Sequence, residues 1–209
     1  LFYLPLAGST FKKTYYDETL GRAVSRFVPA ENLVVPYETS DLETCPNITQ
    51  VVRMSLNDLR KRQIYGTYLD VEVIPAQKEM SSLDGAMDRI EGLEPNQIDY
   101  DCTILEVHAD LDLEGYEELD DEGEPTGIKV PYIVTISEDN GQILSIRRNY
   151  QEDDELKKKI QYFTHFKFLP GFGFYGLGLI HTIGGLLRTA TAALRQLIDA
   201  GTLSNLPAG

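Results

Sequence analysis

Tryptophan is absent from this 209-residue chain, and cysteine, histidine and methionine are scarce at two, three and three residues. Two cysteines, Cys45 and Cys102, are too few for a disulfide framework, so nothing in the sequence calls for an oxidising compartment. Neither belongs to a C-x-x-C pair or a zinc-type cluster. His108, His165 and His181 lie far apart and form no H-E-x-x-H motif, and each reads as a packing or surface residue. G-x-S-x-G and Walker loops are also missing, which removes the common hydrolase and nucleotide-hydrolysis signatures. Positive charge is short as well. Nineteen Lys and Arg face 33 Asp and Glu, a net charge of −14, which argues against conventional nucleic-acid binding through clustered cations.

A hydrophobic content of 42 % supports a packed core. The chain opens on LFYLPLAG without an initiator Met or signal peptide and closes on LPAG, which reads as the middle piece of a longer protein. Leu1–Leu6 and Thr10–Tyr16 read as a hairpin about Ala7-Gly8-Ser9, and Asp17–Gly21 as a second turn. Phe27–Tyr37 is extended, interrupted by Pro29 and Pro36. Ile48–Met54 is a strand, after which Ser55 caps a helix over Leu56–Tyr65 that Gly66 stops. Its Arg60, Lys61 and Arg62 are a solvated face or, alternatively, a DNA or partner contact. A second helix opens at Ser81 or Ser82 and runs to about Glu91. Asn47-Ile48-Thr49 matches a glycosylation sequon without any secretory context.

Residues 99–113 alternate as a strand. Asp110, Asp112 and Glu114 at its end resemble the start of a calcium loop, but the leucines between them fit a strand with one wet face better. Glu114–Gly127 reads as a charged, mobile loop, and an acid/base pair within Asp110–Asp121 is the enzymatic alternative. Ile128–Glu138 and Gln142–Tyr150 form a hairpin turned at Asp139-Asn140-Gly141. Ile160–Leu169 is a last strand. The fold expected is therefore α+β: a mostly antiparallel sheet domain with two short helices, followed by one long C-terminal helix.

That helix is expected over Leu177–Ala200, ended by Gly201 as a left-handed cap. Leu179, Ile183, Leu186, Ala190, Ala193 and Leu197 step by four and three, the spacing of a packing seam. Gly184 and Gly185, with the alanines, allow close approach of another backbone. Arg188 and Arg195 are seven apart on one face, positioned for ion pairs between subunits. Gly171, Gly173 and Gly176 make the preceding segment a hinge; its spacing does not match a dinucleotide fingerprint. No cofactor and no metal is expected. The seam reads either as the core of one domain or as an interface between subunits. A bilayer-inserting helix is a further alternative, opposed by the glycines, Pro170 and the charges of Arg188, Arg195 and Asp199.

Several long segments carry a resemblance: LFYLPLAGSTFKKTYYD, RFVPAENLVVPY, DLETCPNITQVVRMSLNDLRK, LSIRRNYQEDDELKKKIQYFTHFKFLPGFGFYGLGLIHTIGG and LRQLIDAGTLSNLPAG. Together they resemble the portal protein, or head-to-tail connector, of tailed bacteriophages and prophages, in the form common in short-tailed phages. The likeness runs along essentially the whole chain and is strongest from Tyr162 to Gly209. It implies a virion protein that forms a homo-oligomeric ring, typically of twelve subunits, at the portal vertex. Double-stranded DNA passes through such a ring without sequence-specific binding, and the packaging motor, capsid and tail proteins are its partners. It further implies a wing over residues 1–170, a hinge and first stem helix over 171–201, and the start of a clip over 202–209. It implies neither catalysis nor a membrane. The candidate interface residues are then Gly171, Gly173, Gly176, Ile183, Gly184, Gly185, Leu186, Arg188, Ala190, Ala193, Arg195 and Leu197.

Overall fold

Alternating apolar residues at positions 47–54, 102–111 and 130–137 bring three eight- to ten-residue strands side by side, and a sheet grows on either side of them. The computed structural model describes residues 3–17, 20–73, 102–119 and 122–204. In chain order the elements are α1 (Tyr3–Ala7), β1 (Ser9–Asp17), β2 (Arg22–Val28), a short 3-10 turn (Ala30–Asn32), β3 (Leu33–Val34), β4 (Asn47–Met54), α2 (Leu56–Ile64), β5 (Cys102–Leu111), β6 (Val130–Ser137), β7 (Ile143–Arg148), β8 (Phe163–Lys167) and α3 (Leu179–Ser204). The fold is α+β with antiparallel sheets and one long C-terminal helix, as the residue pattern predicts.

The chain divides by contact into two compact units, Leu1–Ala30 with Thr39–Leu42 and Tyr162–Gly209, and Glu31–Glu38 with Glu43–Gln161. The second unit holds a five-stranded antiparallel sheet in the order β3-β4-β5-β6-β7. Its register sets Met54 opposite Cys102 and Val52 opposite Ile104. That face carries a core of Met54, Leu59, Tyr68, Val73, Cys102, Ile104 and Leu144. The other face gathers Val130, Tyr132, Val134 and Tyr150, with Leu111, Leu113, Ile136 and Ile146 against them. Helix α2 starts where Ser55 accepts the Asp58 N–H at 3.1 Å, the N-cap that the sequence predicts. Leu59 is its one large apolar side chain buried in the sheet's core. The β6–β7 hairpin turns at Asp139-Asn140-Gly141 as expected: Gly141 takes a φ of +67°, and the Ser137 N–H donates to the Gln142 carbonyl at 2.9 Å.

Two sequence expectations are corrected here. Residues 114–127 make, at their described positions, specific contacts that their charged composition does not predict. The Glu118 carbonyl accepts both the N–H and the hydroxyl of Thr126, at 2.8 and 3.1 Å. The Glu118 carboxylate pairs with Lys157, and the Tyr132 hydroxyl donates to the Tyr116 carbonyl. Satisfied backbone groups and an ion pair outweigh the polar composition. The second correction is at the N-terminus, where Tyr3–Ala7 is helical instead of the first arm of a hairpin. Gly8, at φ +84°, ends that turn in the left-handed region, and its N–H donates to the Leu4 carbonyl at 2.8 Å. Strand β1 pairs instead with β2 and β8, giving the first unit a sheet ordered β2-β1-β8. The helix expected after Ser81 lies outside the described residues.

Shortening Leu59 to Ala empties the centre of the α2 contact and is expected to cost roughly 3 kcal/mol in urea unfolding. Ser55→Ala removes only the cap and is expected to cost about 1 kcal/mol. Equal losses from the two changes would show that α2 is not anchored through Leu59.

Candidate functional site

Three glycines cross where the end of α1 meets the segment that leads into α3. A Cβ on Gly8 would lie 2.4 Å from the Gly176 carbonyl oxygen and from the Gly178 nitrogen. One on Gly176 would lie 2.5 Å from the Gly8 oxygen, and one on Gly178 would lie 2.2 Å from the Leu6 oxygen. Backbones at this separation leave no room for any side chain. Hydrogen bonds close the crossing. The Phe168 N–H donates to the Gly8 carbonyl at 3.0 Å, and the Gly176 N–H donates to the Ser9 hydroxyl oxygen at 2.8 Å. Leu169 and Leu177 exchange backbone hydrogen bonds of 3.3 and 2.7 Å.

Aromatic rings fill the space beneath. Phe11 is fully buried, its ring centre 4.4 Å from that of His165 and 5.8 Å from that of Phe174. His165 and Phe174 approach to 4.7 Å. The imidazole Nε2 of His165 sits 3.0 Å from the Ser9 hydroxyl. Burial, and then the neighbouring Lys167 ammonium, hold the His165 pKa down at about 4. The neutral ring shares a hydrogen bond with the Ser9 hydroxyl, whose oxygen also accepts the Gly176 N–H. Strand β1, strand β8 and the turn at 168–178 are thus joined through one serine.

Helix α3 leaves this lock at Gly178. The His181 Nδ1 accepts the Gly178 N–H at 3.1 Å, the reach-back half of a capping box, so His181 is a capping residue. The helix starts at Leu179, two residues later than the sequence predicts, because Leu177 is held in the bridge to Leu169. It also runs on through Gly201 to Ser204. Gly201 is not among the positive-φ glycines, so it does not form the expected left-handed cap. Twenty-six residues make a rod of about 39 Å.

Almost none of this rod is covered by the described residues. Leu186 is 72 % exposed and Leu197 71 %, and Ile180, Ile183, Leu187, Leu194 and Ile198 are exposed too. Gly184 is half-buried; Gly185, Arg188, Ala190, Ala193 and Arg195 are exposed. Nothing comes within 4 Å of where a Gly185 Cβ would stand, and neither arginine has an ion-pair partner among the described residues. Thr189, Thr191 and Thr202 turn their hydroxyls back onto the carbonyls of Gly185, Leu187 and Ile198, at 3.1, 2.8 and 2.8 Å. Those hydroxyls are satisfied locally, so the nominally polar face is less demanding of water than its sequence suggests.

The candidate residues therefore separate. Gly171 and Gly176 have an explanation inside the chain: a Cβ at Gly171 would meet the Tyr175 oxygen at 2.8 Å, and Gly176 is locked to Gly8. A Cβ at Gly173 meets nothing within 4 Å. The residues from Ile183 to Leu197 lie along the bare helix. Sequence reasoning missed Gly8, Ser9, Phe11, Phe174, Gly178 and His181. The G-x-G spacing of Gly176 and Gly178 was the available signal, but its partner is 168 residues away. Among the described residues no group of three or more His, Cys, Asp or Glu is placed to hold a metal ion, Asp110, Asp112 and Glu114 included. No protein-family model matches the chain, and no curated protein matches its sequence.

Two measurements check the lock. Gly178→Ala is expected to lose about 3 kcal/mol of stability by backbone overlap. Gly185→Ala, with free space around it, is expected to gain up to about 1 kcal/mol from helix propensity. A neutral Gly178→Ala would refute the crossing. His165 binds a proton less readily folded than unfolded, so its contribution to stability is fully present above pH 6.5 and is lost as pH falls towards about 4. An NMR titration is expected to find His165 neutral at pH 5, and His165→Gln is expected to flatten the stability profile between pH 6.5 and 4. A titration midpoint near 6.5 would contradict the buried, serine-bonded ring.

Proposed function

We propose that this chain is a non-enzymatic structural subunit of a phage portal ring, the channel through which DNA is packaged into and ejected from a capsid. The observation that carries the reading is the bare apolar helix α3. Isolated helices are marginal in water even when rich in alanine, and most helical stability in proteins comes from burying one face. Gly184, Gly185 and Gly201 each lower the propensity by about 1 kcal/mol relative to alanine. A stripe of Leu and Ile left exposed over some 39 Å is a surface that awaits another surface.

A ring of identical subunits supplies that surface by a head-to-tail contact that closes. The small residues Gly184, Gly185, Ala190 and Ala193 permit close helix packing, and Arg188 and Arg195 are available for ion pairs with a neighbour. Gly171 and Gly176 hold the backbone at the helix's start, where a Cβ has no room. A net charge of −14 suits a wall that DNA slides past, because phosphates are not gripped. Proposed partners are further copies of the chain, the packaging motor, capsid and tail proteins, and DNA in transit, within the virion. The competing reading, insertion of α3 into a lipid bilayer, has less support. No helix among the described residues is long and apolar enough to cross a membrane.

The test is native mass and negative-stain imaging of the full-length protein. Closed rings are expected, and Leu186→Asp with Leu197→Asp is expected to abolish them. Both side chains are already exposed in the single chain, so its melting temperature is expected to change little. Monomers at high concentration under every salt condition, or rings that survive both aspartates, would sink the proposal. Tight DNA binding at low salt would remove the sliding-wall argument.

A further inference from the structure

Strand β2 has no strand on its outer side among the described residues. It pairs with β1 on one side, from Phe11 opposite Val28 to Asp17 opposite Arg22, and it is the end strand of its sheet. Among the described residues, no backbone group from Arg22 to Val28 bonds to anything other than β1. Only Val28 of the seven residues is buried. The far edge of the other sheet is treated differently: there Leu69 donates its N–H to the Leu144 carbonyl of β7 at 2.7 Å. An unpaired row of N–H and C=O groups is a template for another strand unless something blunts it. β2 has no proline, and its pairing with β1 runs without a register shift.

Its side chains say what kind of strand fits. Successive residues of a strand point to opposite faces, so Arg22, Val24 and Arg26 share one face, and Ala23, Ser25 and Phe27 the other. Arg26 is already fixed: its guanidinium pairs with Asp17 at 3.2 Å and lies 5.8 Å from the centre of the Tyr15 ring. Five donors leave it capacity for a second carboxylate. Arg22 has no ion-pair partner among the described residues. On the other face Phe27 is 50 % exposed, with the Tyr3 ring edge-on at 6.0 Å. Antiparallel pairing of β2 with β2 of a second copy, centred on Val24, would set Arg22 opposite Arg26, and like charges directly opposite are unfavourable.

We propose that β2 is a docking edge for an extended acidic segment of a partner protein, which adds to the sheet as a fourth strand. The occupant carries carboxylates on the face of Arg22 and Arg26 and apolar side chains on the face of Phe27. Main-chain hydrogen bonds supply the attachment, and the two arginines supply the choice of sign. The inference is independent of whether α3 builds a ring, since it concerns a different surface.

The probe is a fluorescein-labelled peptide, acetyl-Thr-Glu-Val-Glu-Val-Glu-Thr-amide, with a control in which lysine replaces each glutamate. A seven-residue strand makes a small interface, so the measurement uses low salt and high protein concentration. Anisotropy is expected to show binding of the acidic peptide and not of the lysine peptide, with slowed amide exchange confined to β2. R22E, and R22E with R26E, are expected to weaken the acidic peptide, the double variant about tenfold, and to let the lysine peptide bind. Arg22 has no ion pair to lose, so R22E alone keeps the test valid if the double variant unfolds. Absence of binding, binding without protection of β2, or equal affinity in both backgrounds would overturn the proposal. So would β2 amides already protected without peptide, because the edge would then be filled by another segment or a second copy.

Discussion

The backbone crossing of Gly8, Gly176 and Gly178 is the contact on which the first unit depends. Carbonyl and N–H groups from chain positions nearly 170 residues apart pass at distances that no Cβ allows. Once they meet, several other features follow. Ser9 comes within reach of both the Gly176 N–H and the His165 ring, and Phe11, His165 and Phe174 close into one aromatic cluster. Leu177 is held in a bridge, so α3 cannot begin before Gly178. The start of the long helix is therefore fixed by contacts with the other end of the chain rather than by helix propensity.

Such an arrangement separates rigidity from recognition. The base of α3 is anchored by groups whose hydrogen bonds are satisfied, while the rest of the helix projects apolar side chains that are exposed among the described residues. A ring subunit needs this combination. A helix with a wandering base could not present the same face to every neighbour, and a helix covered by its own domain would have no face to offer. The edge strand β2 repeats the theme at smaller scale, with Arg26 held by Asp17 and Tyr15 while the outward backbone has no partner among the described residues.

The second unit is held by ordinary means. Period-two alternation gives β4, β5 and β6 two apolar faces, and α2 with Tyr68 and Val73 covers one of them. Its acidic loop shows how composition misleads. Glu118 belongs to a run that reads as solvated, yet its carbonyl and its carboxylate are both engaged. A count of charges registers their sign but not the partners that a fold delivers.

Local chemistry in the sequence determined a good deal. The strands at 47–54, 102–111, 130–137 and 143–148, the Ser55 cap, the Asn140-Gly141 turn and the presence of a long helix near the C-terminus all depend on residues within a few positions of one another. Periodicity and turn residues encode such features directly. The apolar stripe of α3 was legible for the same reason. What stayed hidden required distant partners. Tyr3–Ala7 looked like a strand because its cap at Gly8 is understood only beside Gly176 and Gly178. Gly201 looked like a helix stop because glycine permits a left-handed turn, but permission is not necessity, and the helix continues through it. His165 and His181 looked alike in sequence, and only the fold made one a half-buried hydrogen-bond partner of Ser9 and the other a helix cap. The sequence by itself determined most of the strands, the Ser55-capped helix and the presence of the long C-terminal helix, because their signals are local. The tertiary structure alone decided which glycines lock backbones together, because that depends on where two remote stretches of chain cross.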